Sequence, residues 1–226
     1  MQKQSRKMSI EKQVHYNTSN SYSTLNSFTE KTKNVWMVFH GMGYLSKYFI
    51  NYFSELDPVE NYIIAPQAPS KYYQDKAFKH VGASWLTREN TVIETENVLN
   101  YIDADFMEEV SGKLPNLIIL GYSQGVSIAA RWVARRKIQC EMLILHSGGI
   151  PVELKPADFE FLNPTAKVIY LYGNKDEYIT EARKTEEQLK GSKLFKSRLN
   201  IQIFDGIHEV NKEFIQKIST QITSSL

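Results

Sequence analysis

The chain has 226 residues, of which 42% are hydrophobic and 23% charged, and this length and composition suit one domain with a packed core. Its formal net charge of +2 is too small to indicate a nucleic acid or an anionic membrane as its partner. The single cysteine, Cys140, excludes an internal disulfide and a cysteine-based metal cluster.

The N-terminal residues 1–12 are polar and basic, and they predict a disordered tail ahead of a single domain over residues 13–226. This tail lacks the apolar centre of a signal peptide, and Met8 is an alternative to Met1 as the native start. The sequence also has no run of about 18 apolar residues, so we expect no stable membrane insertion and a cytoplasmic location.

Several segments have the patterns of β-strands. Residues 14–27 alternate polar and apolar side chains around Ser19-Asn20, which predicts an antiparallel two-stranded hairpin at a sheet edge. Six short apolar runs follow, at residues 35–39, 62–65, 117–120, 142–145, 168–171 and 201–204. Runs this apolar are typical of strands covered on both faces, as in a parallel sheet.

Helical patterns lie between these runs. Apolar residues repeat with helical spacing over residues 45–56, and Asp57-Pro58 ends that pattern. Further helices are predicted over residues 91–110, after Gly125, and over residues 180–190 and 210–222. This alternation predicts an α/β fold with a mostly parallel, doubly wound sheet, right-handed crossovers and no separate cap domain.

The most informative motif is Gly121-Tyr122-Ser123-Gln124-Gly125, between the apolar run 117–120 and a helical pattern. A serine in a tight strand-to-helix turn, flanked by small residues, is typical of the nucleophile elbow of an α/β-hydrolase. Gly121 and Gly125 would let the helix approach the neighbouring strand, and Ser123 would stand at the helix N-terminus. The alternative is an ordinary glycine-rich turn that contains an incidental serine.

A serine hydroxyl needs a base that removes its proton, and in this fold an acid and then a histidine follow the serine along the chain. Asp176 comes just after the run 168–171, and His208 comes just after the run 201–204. Parallel strand ends meet at one edge of a sheet, so three such ends would bring the side chains together. We therefore predict Ser123, His208 and Asp176 as nucleophile, base and orienting acid.

Other residues compete for two of these roles. Asp205 is a rival acid, but it lies only three residues before His208, at the same strand end. Among the other histidines, His15 and His80 are predicted at the surface or in loops. His40 and His146 end strands and would line the cleft, although neither follows the acid, and His146 is the stronger competitor.

An oxyanion hole needs two hydrogen-bond donors beside the nucleophile. One is expected to be the backbone N–H of Gln124, which follows the serine. The other is expected from the loop after the first long strand, His40-Gly41-Met42-Gly43, and we choose the N–H of Met42. A simple strand-ending turn is the alternative for this loop.

Two longer loops, residues 67–90 and 147–166, follow strands and should border the site. The first carries aromatic side chains that could form the wall of an apolar pocket or merely cover the sheet edge. The predicted substrate-binding residues are Tyr72, Tyr73 and Trp85, together with His146 and Ile150 beside the second loop.

The chain resembles the phospholipase/carboxylesterase family of α/β-hydrolases, which includes the acyl-protein thioesterases. The resemblance covers most of residues 35–215. Its landmarks are His40-Gly41-Met42-Gly43, Ala65-Pro66-Gln67-Ala68-Pro69, Gly121-Tyr122-Ser123-Gln124-Gly125, Ser147-Gly148-Gly149-Ile150-Pro151, Gly173-Asn174-Lys175-Asp176 and Gly206-Ile207-His208. It implies a single-domain, largely lidless esterase without a cofactor, with the same triad and the same two oxyanion donors.

Two departures from the family pattern concern the substrate rather than the class of reaction. The family usually has an acidic residue after the H-G-x-G segment, where this chain has Tyr44. The family's Trp-Phe-Asp segment is Trp85-Leu86-Thr87 here. Both lie near the expected acyl or leaving-group side of the site.

We therefore expect a serine esterase or thioesterase that acts on a small-molecule or acylated substrate through an acyl-enzyme. A lysophospholipase and an acyl-protein thioesterase are alternatives within this class. A non-catalytic binding module on the same fold and another chemistry by the same triad, such as C–C or peptide hydrolysis, are alternatives of other classes. The sequence leaves the oligomeric state open.

Overall fold

The computed structural model describes residues 9–110 and 115–223. Its strands are β1 (Tyr22–Leu25), β2 (Asn34–Phe39), β3 (Asn61–Pro66), β4 (Ser70–Tyr73), β5 (Val81–Ser84), β6 (Asn116–Tyr122), β7 (Met142–His146), β8 (Lys167–Gly173) and β9 (Leu199–Phe204). Its α-helices are α1 (Ser46–Phe49), α2 (Thr91–Glu109), α3 (Gln124–Arg136), α4 (Glu181–Phe195) and α5 (Lys212–Thr223). Short 3₁₀ segments cover Ile50–Phe53, Pro156–Phe159 and Lys196–Arg198.

The central sheet has seven strands in the order β1-β3-β2-β6-β7-β8-β9. Strand β1 pairs antiparallel with β3, and the other neighbouring strands are parallel. Helices cover both faces of the sheet, so successive residues of β2 enter opposite cores. Val35 packs in the core that includes α2, α3 and α4, and Trp36 packs in the core that includes α1 and α5. This arrangement confirms the predicted doubly wound, mostly parallel α/β fold and explains why five of the six runs are apolar. The sixth run differs, because Ile201 and Ile203 are exposed in the edge strand β9.

The N-terminal edge differs from the predicted hairpin. Only β1 forms there, and its antiparallel partner is the distant strand β3 rather than a second N-terminal strand. Val14 and Tyr16 remain exposed, so a strand at that position would bury little apolar surface. The sheet edge offers β1 a continuous ladder, whereas an isolated two-stranded hairpin is at best marginally stable.

The helix predicted over residues 45–56 is also shorter than expected. It consists of one turn of α-helix, α1, followed by the 3₁₀ segment Ile50–Phe53. The segment is rich in aromatic residues, which favour helix only weakly, and no side chain caps its N-terminus. Phe49, Phe53 and Leu56 are nevertheless buried, so the apolar pattern identified the correct face of this segment.

Strands β4 and β5 form a separate antiparallel hairpin inside the predicted loop 67–90. All four residues of β4 are exposed, and so the segment has no buried face that a hydrophobic pattern would reveal. The hairpin leaves the central sheet near the carboxyl end of β3, which places it beside the candidate site.

Residues 1–8 of the predicted tail lie outside the described residues, while residues 9–12 belong to no helix or strand. Within the described ranges, no helix is both long enough and apolar enough to cross a membrane.

Candidate active site

Ser123 occupies the turn between β6 and α3. Its backbone has φ 53° and ψ −117°, a conformation that residues other than glycine rarely adopt. The N–H of Ser123 donates to the carbonyl oxygen of His146 at 2.8 Å, which fixes the turn against the end of β7. The strained turn presents the serine side chain in front of the first turn of α3, as a nucleophile elbow requires.

The glycines on either side of the turn are required by close backbone approach. A Cβ on Gly121 would lie 2.5 Å from the carbonyl oxygen of Gly125, and a Cβ on Gly125 would lie 2.1 Å from that of Phe39. Real Cβ atoms essentially never come within 3.0 Å of such atoms, so helix α3 reaches β2 this closely only because both residues are glycine.

We expect Gly125→Ala to lower the free energy of unfolding by about 2 kcal/mol or more, because the methyl group must push two backbone segments apart. Gly191→Ala in α4 is the matched control, since its Cβ would meet only the ends of the Leu199 and Ile150 side chains, at 3.2 and 3.6 Å. Denaturant unfolding of both variants measures the difference. Equal stability of the two variants would show that the elbow tolerates the methyl group.

The structure brings Ser123, His208 and Asp176 into one hydrogen-bonded chain. His208 Nε2 lies 3.0 Å from Ser123 Oγ, and His208 Nδ1 lies 2.7 Å from Asp176 Oδ2. Because the buried Asp176 carboxylate can only accept, Nδ1 carries the proton and Nε2 is free to accept from the serine hydroxyl. The side chain of Asp176 is fully buried, whereas that of His208 is 19% exposed, so solvent can reach the imidazole but not the carboxylate.

Two tyrosines that the sequence analysis did not single out as functional hold this chain in place. Tyr122 Oη donates to the carbonyl oxygen of His208 at 3.0 Å. The backbone N–H of Tyr178 donates to Asp176 Oδ1 at 2.9 Å, and its ring lies 4.8 Å from the His208 ring, centre to centre. The sequence signal that could have identified the two tyrosines is their position next to or near Ser123 and Asp176. Tyr178 is exposed, so its ring is available to a bound substrate.

The rival residues are engaged elsewhere. Asp205 is largely exposed and pairs with Lys175 Nζ at 2.7 Å. His146 is completely buried, and its Nε2 accepts the backbone N–H of Asn211 at 3.0 Å, so its Nδ1 proton points to Ser147 Oγ at 3.1 Å. Both ring nitrogens of His146 are thus used in fixing the start of α5 and the turn after β7.

Burial lowers the pKa of His146 to about 3 from its ordinary value of 6.5. Since the folded value is the lower one, its contribution to stability is complete above pH 6.5 and is lost as the pH falls towards 3. Between pH 7 and pH 4.5, the wild type should lose more unfolding free energy than the His146→Gln variant does. We expect the difference between these two losses to be on the order of 2 kcal/mol. Urea unfolding at the two pH values tests this, with His15→Gln as the control, and an unchanged loss would contradict it.

Among the described residues, two backbone N–H groups in the segments next to Ser123 have no hydrogen-bond acceptor. Gln124 is the first residue of α3, where an N–H has no acceptor within the helix. In the loop after β2, the N–H of Gly43 donates to Ala83 and that of Tyr44 donates to Gly41. Within the part of the chain that the structure describes, no acceptor faces the N–H of Met42. Both predicted oxyanion donors are therefore available to a ligand.

The side chain of Gln124 has a structural role that the sequence analysis missed. Its Oε1 accepts the N–H of Trp85 at 2.8 Å, and its Nε2 donates to the carbonyl oxygen of Leu86 at 2.8 Å. Both groups also lie within hydrogen-bond distance of Ser84 Oγ. The amide thus ties the N-terminus of α3 to the end of β5.

The predicted substrate-binding residues fall into two groups. Tyr72 and Tyr73 are exposed on β4, and the Tyr72 hydroxyl lies near Gly43 in the loop after β2. The structure does not present Trp85, His146 or Ile150 to the cleft, because all three side chains are buried. The Trp85 indole donates to the carbonyl oxygen of His40, and Ile150 belongs to the core beneath α3 and α4. The sequence placed these residues at or after the ends of strands, but that placement does not determine the direction of a side chain.

No group of three or more His, Cys, Asp or Glu side chains in the described ranges is arranged to hold a metal ion. The site itself offers a hydroxyl, an imidazole, a carboxylate and two N–H donors. Such a set can attack an electrophilic carbon and stabilise the negative charge that forms on its oxygen.

Comparison with known proteins identifies the family of the chain. Residues 20–226 match the family described as Phospholipase/Carboxylesterase, and the chain belongs to that family. No curated protein matches the chain by sequence.

Solved structures show the same fold at low sequence identity. Esterase PE8 has a TM-score of 0.67 at 19% identity, over 92% of this chain and 100% of that one. Acyl-protein thioesterase 2 from Zea mays has a TM-score of 0.66 at 13% identity, over 91% and 99%. A phospholipase/carboxylesterase from Dyadobacter fermentans DSM 18053 has a TM-score of 0.64 at 18% identity, over 92% and 99%. All three are similar to this chain in fold, and the similarity covers nearly the whole of each of them.

Proposed function

We propose that the protein is a serine hydrolase that cleaves carboxylic esters or thioesters through an acyl-enzyme. The observation that carries this proposal is the hydrogen-bonded chain from Asp176 through His208 to Ser123, in the geometry that activates a serine hydroxyl. Membership of the phospholipase/carboxylesterase family supports the same class of reaction.

In the proposed acylation step, Ser123 Oγ attacks the carbonyl carbon of the substrate while His208 Nε2 takes the hydroxyl proton. The Asp176 carboxylate stabilises the imidazolium that forms, and the N–H groups of Met42 and Gln124 donate to the oxyanion. The tetrahedral intermediate then collapses as the bond to the leaving group breaks. His208 gives its proton to the departing alcohol or thiol, and the acyl group stays on Ser123.

Deacylation uses the same groups on a water molecule. His208 Nε2 takes a proton from the water, whose oxygen attacks the acyl carbon of the ester on Ser123. Collapse of the second tetrahedral intermediate returns the proton to Ser123 Oγ and releases the carboxylic acid. The partial exposure of His208 lets water enter once the leaving group has departed.

The surroundings of the site suit an acyl substrate. Met42, Tyr72 and Tyr73 are exposed on the side of the β4–β5 hairpin, and Tyr178 is exposed beside His208. This apolar rim would contact the acyl chain or the leaving group, and we propose Tyr72 and Tyr73 as substrate contacts on that basis. A lysophospholipid and an acylated protein are the larger substrates that the same rim would accept. We also propose that residues 13–226 form a single domain.

The test is hydrolysis of p-nitrophenyl esters from acetyl to palmitoyl, and of the matching acyl thioesters, together with labelling by a fluorophosphonate probe. We expect probe labelling and turnover, and the chain-length profile then sizes the acyl pocket. A folded protein that neither labels nor hydrolyses any of these substrates would contradict the proposal and favour a non-catalytic binding module.

A further inference from the structure

His40, at the carboxyl end of β2, is completely buried, and it lies outside the hydrogen-bonded chain that contains Ser123. Its Nδ1 lies 2.7 Å from the carbonyl oxygen of the next residue, Gly41. Its Nε2 lies 3.1 Å from the backbone nitrogen of Ala68 and 3.4 Å from Gln67 Nε2. Both ring nitrogens of this buried histidine therefore have backbone or side-chain partners.

The partners of the ring determine where its proton lies. Both the Ala68 N–H and the Gln67 amide are donors, so His40 Nε2 must accept. The proton is therefore on Nδ1, which donates to the Gly41 carbonyl oxygen. Burial lowers the pKa of His40 to about 4, so the ring keeps this neutral form at neutral pH.

The Gly41 carbonyl shares a peptide group with the N–H of Met42. This peptide is trans, and in a planar trans peptide the C=O and the N–H point in opposite directions. Holding the carbonyl towards His40 therefore turns the Met42 N–H away from His40. The same peptide borders the nucleophile, since a Cβ on Gly41 would lie 3.1 Å from the Ser123 Cβ.

We propose that His40 is the positioning residue of the oxyanion hole, and that it acts by fixing the orientation of the Gly41–Met42 peptide. This inference rests on the proposed hydrolase function. If the peptide flipped, the Gly41 carbonyl would replace the Met42 N–H and would repel the developing oxyanion. A donor that is fixed before the reaction avoids this reorganisation, which is how such donors stabilise a transition state.

Two neighbouring segments hold His40 in turn. The Trp85 indole donates to the His40 carbonyl oxygen at 2.8 Å, and its ring lies 5.0 Å from the imidazole, centre to centre. Ala68 and Gln67 belong to the segment Ala65-Pro66-Gln67-Ala68-Pro69, which was a landmark of the family resemblance without an evident role. The role that follows from the contacts of this segment is to supply the donors that set the tautomer of His40.

Two substitutions separate the functions of the ring nitrogens. In His40→Asn, the amide nitrogen occupies the place of Nδ1 and still donates to the Gly41 carbonyl. In His40→Gln, the longer amide reaches the place of Nε2 and still accepts from Ala68. The donor at the place of Nδ1 is lost, which leaves the Gly41 carbonyl oxygen with the longer 3.3 Å bond from the Tyr44 N–H. Each variant is compared with the wild type for kcat, KM, the rate of fluorophosphonate labelling and the free energy of unfolding.

We expect His40→Gln to lower kcat and the labelling rate about tenfold to a hundredfold with KM within about twofold, since a misdirected donor affects the transition state more than binding. His40→Asn is expected to keep kcat within about fivefold of the wild type. A folded His40→Gln variant with wild-type kcat and labelling rate overturns the proposal. Equal losses in the two variants also overturn it, because they indicate a role in stability alone.

A measurement on the wild type keeps the proposal testable even if neither variant folds. A long-range ¹H–¹⁵N NMR spectrum assigns the His40 tautomer directly, and we expect the Nδ1–H form at pH 7. The Nε2–H form or a charged ring overturns the proposal. If the wild type itself neither labels nor hydrolyses esters, the proposed function fails first, and the tautomer then describes a structural histidine only.

Discussion

Ser123→Ala is expected to lower kcat for p-nitrophenyl ester hydrolysis by about 10⁵-fold or more and to abolish labelling by a fluorophosphonate probe. The variant removes the oxygen that would bond to the acyl carbon, whereas the backbone donors of Met42 and Gln124 remain. Any residual rate would come from direct attack of water on the substrate, with these donors stabilising the oxyanion that forms. Initial rates at saturating substrate, with active-site titration of the wild type, measure the loss.

Ser127→Ala is the matched control for this experiment. Ser127 lies one turn further along α3, where its Oγ donates to the Gln124 carbonyl oxygen at 2.9 Å. We expect it to change kcat by no more than about twofold, since a bond of this kind contributes about 1 kcal/mol to stability and does not touch the site. Wild-type turnover in Ser123→Ala, or a comparable loss in Ser127→Ala, would mean that Ser123 is not the nucleophile.

The relative positions of Ser123, Asp176 and His208 could be predicted because each follows a strand that a short apolar run marks in the sequence. Parallel strands align their carboxyl ends at one edge of a sheet, so the chain order of the strands limits where the three side chains can meet. The elbow itself is a local feature, since Gly121 and Gly125 report the close approach of α3 to the sheet. In these places local pattern and global fold agree.

The directions of the side chains around the site could not be predicted in the same way. His146 ends strand β7 and His208 follows strand β9, yet the first is buried with both ring nitrogens hydrogen-bonded and the second faces Ser123. The difference arises from Asn211, whose backbone N–H reaches His146 from a distant part of the chain. Trp85 was expected in the cleft wall, but its indole is engaged by the carbonyl oxygen of His40. Contacts of this range leave no periodic signal in the sequence.

The β4–β5 hairpin was missed for a related reason. Its exposed strand β4 lacks a buried face, and its position depends on contacts such as the 2.8 Å hydrogen bond from Gln74 Nε2 to the Gly43 carbonyl oxygen. The hairpin thereby rests on the loop that carries Met42. The proposed oxyanion loop is thus held by β4–β5 on one side and by His40 on the other, and neither contact was visible in the H-G-x-G motif.

Asp176→Asn is expected to lower kcat by about 10⁴-fold while the protein remains folded. The asparagine fits the buried site but offers its amide N–H to His208 Nδ1, which must then accept. The imidazole proton moves to Nε2, and that nitrogen can no longer take the proton from Ser123 Oγ. The pH dependence of kcat, measured together with denaturant unfolding, separates this loss from a loss of structure.

Asp205→Asn is the control that the sequence itself suggests, because Asp205 was the rival acid at the strand end of His208. Its side chain is 73% exposed and pairs with Lys175, so the substitution disturbs only a solvated ion pair. We expect kcat within about twofold of the wild type. If Asp205→Asn lost activity and Asp176→Asn kept it, the orienting acid would have to be reassigned, and the 2.7 Å contact between Asp176 and His208 would be structural only. The opposite result assigns the orientation of His208, and with it the tautomer on which proton transfer from Ser123 depends, to Asp176.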